Sequence, residues 1–103
     1  MAIENISLDE LKQGLGDGSL VVVDVREADE FASGHIPGAV SNPLSSFSTG
    51  ALPAGKRIII ACRSGQRSKV ALAMAQSSGR PDVTGHFPGG MLEWQASGQP
   101  IEK

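Results

Sequence analysis

The sequence predicts an α/β chain organised on a mainly parallel sheet of about five strands. Three observations carry that expectation. Aliphatic, β-branched runs alternate with helix-forming stretches along the whole chain. Leu20 to Val25 is almost continuously aliphatic, as in a strand buried on both faces of a parallel sheet. The run Ile58-Ile59-Ile60-Ala61 leads directly into CRSGQRS (Cys62 to Ser68) and then into SKVALAMAQSS, a strand, a loop and a helix in succession.

Taken in order, Ala2 to Ile6 reads as a short strand. Ser7, with Glu10 three residues later, forms the capping-box pattern of a helix start. Leu8, Leu11 and Leu15 recur at helical spacing, and Gly16-Asp17-Gly18 ends that helix. After the Leu20 to Val25 strand, Arg26 to Ser33 reads as a short helix with acidic residues at its start, followed by the turn cluster Gly34-His35-Ile36-Pro37-Gly38. Ala39 to Asn42 is a brief strand, Leu44 to Leu52 one or two weak helical turns, and Pro53-Ala54-Gly55-Lys56 a loop. The Arg57 to Ala61 strand feeds the Cys62 loop. Ser68 to Ser78 has high helix propensity and is apolar on most sides, which places it between layers, and Gly79-Arg80-Pro81 stops it. Val83 to Phe87 is a short strand. Pro88-Gly89-Gly90 then breaks into a last helix, Met91 to Ser97, with Trp94 on its buried side.

With 103 residues there is room for one domain, spanning 1–103, and one core. Hydrophobic residues at 40% and charged residues at 19% fit a globular chain rather than a disordered one. A formal net charge of -2 gives no general attraction to nucleic acid or to an acidic membrane surface. One cysteine forms no internal disulfide, and MAIENISLDELK lacks the basic stretch and apolar core of a signal peptide. No apolar run approaches a membrane span. The expectation is a cytoplasmic protein, a monomer or weak dimer, without cofactor.

Cys62 is the residue that points to chemistry. Free cysteines are usually small buried apolar groups, but this one stands at the carboxyl end of a strand, where open α/β sheets place their ligands. Arg63, Arg67 and Lys69 supply positive charge nearby, and Gly65 lets the backbone turn so that successive N–H groups converge. A helix beginning near Arg67 adds its free N–H groups and positive dipole end. These are conditions that favour a thiolate nucleophile. Ser64, Gln66 and Ser68 line the same loop and contribute backbone N–H groups.

Other polar residues take structural readings. Asp24 and Arg26 form an ion pair at the end of the second strand, and a carboxylate close to Cys62 would oppose thiolate formation. His35 braces its loop through hydrogen bonds. His86 alternates with Gly85 and Phe87, a position that can face solvent. Two histidines and one cysteine scattered in this way form no metal site. Trp94 and Phe31 are core residues.

Three segments, VVDVREADEFASGHIPGAVSNPL (Val22 to Leu44), the CRSGQRS loop and GGMLEWQASGQP (Gly89 to Pro100), together resemble the rhodanese family of sulfurtransferases. The resemblance covers nearly the whole chain. It implies a three-layer α/β/α fold, with helices flanking a central parallel sheet. It also implies that Cys62 accepts a sulfane sulfur, becomes a persulfide, and passes the sulfur to a thiol or to cyanide. Arg63 and Arg67 can hold a dianion such as thiosulfate while Cys62 attacks it, and N–H groups from Arg63 to Ser68 can cradle the persulfide.

Phosphatases and arsenate reductases that share the fold resemble a Cys-x5-Arg pattern. Here the loop is Cys-x4-Arg, Cys62 to Arg67, a narrower cradle that fits one sulfur better than a tetrahedral oxyanion. A third reading is a sulfur relay or binding module that docks on a partner. The expected partners are a small anionic sulfur donor and a thiol or thioredoxin-like acceptor protein.

Overall fold

The computed structural model describes residues 3–103. The elements are β1 (Glu4–Asn5), α1 (Leu8–Asp17), β2 (Leu20–Asp24), α2 (Ala28–Ala32), β3 (Val40–Ser41), two 3-10 turns (Leu44–Ser46 and Thr49–Ala51), β4 (Arg57–Ala61), α3 (Gln66–Ser77), β5 (Gly85–His86) and α4 (Gly90–Ala96). The sheet has five strands in the order β1-β5-β4-β2-β3, and every pair is parallel.

The two aliphatic runs make the centre of this sheet. Each residue of β2 from Leu20 to Asp24 pairs with one of β4 from Arg57 to Ala61. Alternation along these strands sends side chains to opposite faces. Leu20, Val22, Ile59 and Ala61 meet Leu11, Phe87, Met91 and Trp94 in one cluster, beneath α1 and α4. Val23, Val25, Ile58, Ile60 and Cys62 meet Ala71, Leu72 and Ala75 of α3 in the other. The three-layer arrangement therefore follows from strands apolar on both faces.

α1 starts as the sequence predicts. The Ser7 side chain accepts from the Glu10 N–H at 3.1 Å, the Glu10 carboxylate accepts from the Ser7 N–H, and Gly18 closes the helix at φ 74°. β1, β3 and β5 are only two residues long, shorter than the expected runs, and Ala2 of the first run lies outside the described residues. α3 begins two positions before Ser68, at Gln66, because Gly65 takes a left-handed conformation that starts the helix inside the loop. Its apolar residues are not all enclosed. Val70 is 52% exposed and Met74 38%, so α3 covers the sheet with one face and shows the other to solvent.

Phe31 also departs from expectation. α2 buries no residue fully, and the Phe31 ring lies half-buried, stacked on His35 with centroids 3.8 Å apart, rather than in the core. Five residues are too few to carry an apolar face into the sheet. Among the described residues no helix is long and apolar enough to cross a membrane.

Candidate active site

Cys62 follows the last residue of the central strand β4, and its loop ends at the first turn of α3. Its residue is 1% exposed, and the Gly65 N–H donates to Sγ at 3.1 Å. Burial pushes the thiol pKa up. The Ser68 N–H and hydroxyl, with the Ser64 and Gly65 N–H groups, more than offset it, and the thiol lies below its ordinary value. The loop is thus a ring of donors around one sulfur, the arrangement that stabilises a thiolate.

The loop keeps this shape through its contact with the first turn of α4 and the residues just before it. Met91 N–H donates to the Cys62 carbonyl at 2.9 Å and Leu92 N–H to the Arg63 carbonyl at 3.1 Å. Two glycines permit so close an approach. At Gly65 (φ +93°) an added Cβ would stand 2.4 Å from the Pro88 carbonyl oxygen, and at Gly90 (φ +58°) 2.5 Å from the Cys62 and Arg63 carbonyl oxygens. Pro88-Gly89-Gly90, read from sequence only as a helix break, is therefore part of the site's wall.

Arg63, Ser64 and Gln66 are exposed around the mouth, whereas Gly65 and Ser68 are buried beneath it. Arg67 is committed elsewhere: both its terminal nitrogens donate to the Glu30 carboxylate of α2, at 2.6 and 3.0 Å. This fork holds Glu30 down to about 2, chiefly through the Arg67 hydrogen bonds, and raises Arg67 in turn. Arg67 still lies close enough to Cys62 for their charges to interact. Sequence reasoning missed Glu30, whose partner is 37 positions away.

Asp24 and Arg26 form a buried pair, with Nη2 to Oδ2 at 2.8 Å. Arg26 also donates to the carbonyls of Glu30 (3.2 Å) and Gly34 (2.7 Å), tying β2 to α2 and to the turn that follows it. His35 lies 3.0 Å from the Phe31 carbonyl through Nδ1, and its backbone exchanges hydrogen bonds with Glu102. Neither Asp24 nor His35 is hydrogen-bonded to the cysteine loop.

His86 is a correction. It is fully buried, with Nδ1 2.9 Å from Ser68 Oγ and Nε2 3.0 Å from Asn5 Oδ1. The signal was present in strand alternation: Phe87 belongs under α1 and α4, so its neighbour must face α3.

Comparison with known proteins places this geometry in a family. The Rhodanese-like domain model matches residues 7–97. A sulfurtransferase of Allochromatium vinosum is 33% identical over 102 residues, covering 96% of this chain and 94% of that protein. The putative sulfur carrier protein YrkF of Bacillus subtilis is 38% identical over 96 residues, covering 90% of this chain but 51% of its own length. The chain thus spans about half the length of some of its curated relatives. Among solved structures, a rhodanese-related protein from Thermoplasma volcanium superposes with a TM-score of 0.82 at 25% identity, covering 96% of this chain and 97% of that one. On the family model, the near full-length sulfurtransferase relative and the shared fold, the chain belongs to the rhodanese-like family of sulfurtransferases and sulfur carriers.

Proposed function

We propose that the protein is a sulfurtransferase that carries sulfane sulfur on Cys62. The observation that supports this best is the Gly65 N–H donating at 3.1 Å to the buried Sγ, in a loop whose Ser64 and Ser68 groups also hold the thiol below its ordinary value. With thiosulfate as donor, the Cys62 thiolate attacks the outer sulfur. A new S–S bond forms, the sulfur–sulfur bond of thiosulfate breaks, and sulfite leaves with its electron pair. The terminal sulfur of the persulfide then sits at the mouth of the loop. A thiolate or cyanide attacks that sulfur and expels Cys62 as thiolate, which the same N–H groups stabilise.

Arg63 is the exposed guanidinium at the mouth for an anionic donor, since Arg67 is engaged by Glu30. That engagement favours a second reading of the donor. A persulfide on a thiol needs only the N–H cradle for its terminal sulfur, whereas thiosulfate also needs cationic partners for its sulfonate end. Under this reading the protein relays sulfur between protein or small-molecule thiols, and thiosulfate turns over slowly.

The test is turnover of thiosulfate and of glutathione persulfide by wild type, Cys62→Ser and Glu30→Gln. Sulfur transfer from either donor that disappears in Cys62→Ser is the expected result. A lower thiosulfate KM in Glu30→Gln is expected as Arg67 is released. Absence of transfer from both donors, with hydrolysis of an aryl phosphate that depends on Cys62, would overturn the proposal in favour of oxyanion chemistry.

A further inference from the structure

Behind the Cys62 loop a chain of polar groups extends beyond the donors that the sulfur chemistry uses. It starts at Asn5 on β1, passes through the buried ring of His86 on β5, and reaches Ser68 in the first turn of α3. Ser68 Oγ is 2.9 Å from His86 Nδ1 and donates to the Gly65 carbonyl oxygen at 3.0 Å, and the Gly65 N–H in turn donates to Cys62 Sγ at 3.1 Å. A hydroxyl has one hydrogen to give. If His86 Nδ1 is bare, it takes that hydrogen, and the Gly65 carbonyl does not receive it. If Nδ1 carries a hydrogen, it donates to Ser68 Oγ, and the hydroxyl hydrogen is left for the loop.

We propose that His86, by donating from Nδ1 to Ser68 Oγ, directs the Ser68 hydroxyl into the Cys62 loop and is thereby a positioning residue for sulfur transfer. The inference rests on the reading of Cys62 as the sulfur carrier, and adds a residue that does not touch the sulfur. Burial, with the Lys69 charge on α3, disfavours protonated His86, so the ring acts as a neutral tautomer. Nε2 is then an acceptor and needs a donor. Asn5 Oδ1 stands 3.0 Å from Nε2, and this tautomer requires the exposed Asn5 amide to turn its NH2 to the ring instead. The tautomer orients the hydroxyl onto the Gly65 carbonyl, and the Gly65 residue so held keeps its N–H on the Cys62 sulfur.

The pH profile of Cys62 alkylation by iodoacetamide tests this directly, because it reads the thiolate whether or not the protein transfers sulfur. Arg67, whose charge acts on Cys62, and Lys69, whose charge acts on His86, stay unchanged in every variant. His86→Gln keeps an amide near Nε2 and removes the donor at Ser68. His86→Asn keeps a donor near Nδ1. The expected result is that His86→Gln and Ser68→Ala shift the profile to higher pH, with alkylation near neutrality slowed about three- to tenfold, the effect of one lost hydrogen bond. His86→Asn should retain the wild-type profile, and Ser68→Ala/His86→Gln should shift no further than Ser68→Ala. Asn5→Ala, at the exposed edge of the sheet, should shift it in the same direction without disturbing the core. The proposal is overturned if folded His86→Gln and Asn5→Ala keep the wild-type profile, or if the two histidine variants shift together in proportion to a fall in thermal midpoint.

Discussion

Gly65→Ala puts a Cβ 2.4 Å from the Pro88 carbonyl oxygen at φ +93°, so the loop must move or the turn before α4 must give way. The Gly65 N–H then leaves the Cys62 sulfur, 3.1 Å away in the native loop. We expect the variant to lose most of its sulfur transfer and at least about 1 kcal/mol of stability, measured by urea titration beside an activity assay. The place of Cys62, after a central strand and at the start of the loop into α3, was legible in the sequence because an aliphatic run, a glycine-containing loop and a helix-forming stretch follow one another there. Glu30 and His86 were not. Glu30 looked like one of several acids at a helix start, and its bond to Arg67 exists only when α2 and α3 come together in space. His86 was read from its alternation with Gly85 and Phe87 as facing solvent, whereas the parity of β5 sets it against α3.

Among the elements, β2 and β4 were legible because each is aliphatic over its length, and such strands are buried on both faces. The outer strands were overextended in the reading, since two paired residues leave little pattern to count. α1 tests the capping argument. Ser7→Ala removes the acceptor of the Glu10 N–H and should cost about 1 kcal/mol, read from the urea midpoint without loss of activity. The buried Asp24–Arg26 pair binds β2 to α2. Asp24→Asn leaves the Arg26 guanidinium without its counter-charge in a site where the side chains are 7% and 3% exposed. A loss of about 3 kcal/mol or more is expected in the same titration, with the Cys62 alkylation profile little changed.

At the scale of the molecule, acid should weaken the assembly of α2 on the Cys62 loop. Glu30 is held at about 2, below its ordinary 4.5, so the folded chain binds its proton less readily than the unfolded one. The stability contributed by this pair is therefore complete above about pH 4.5 and is lost as pH falls toward about 2. Thermal midpoints measured across that interval should fall less steeply in Glu30→Gln than in wild type. The whole architecture exists to bring one strand end, one helix start and one glycine turn together around a single sulfur. Intact mass spectrometry of the reduced protein after exposure to thiosulfate or glutathione persulfide, beside Cys62→Ala, tests that most directly. The account predicts a gain of one sulfur atom, absent in Cys62→Ala and removed by cyanide. No gain from either donor, or an equal gain in Cys62→Ala, would contradict it.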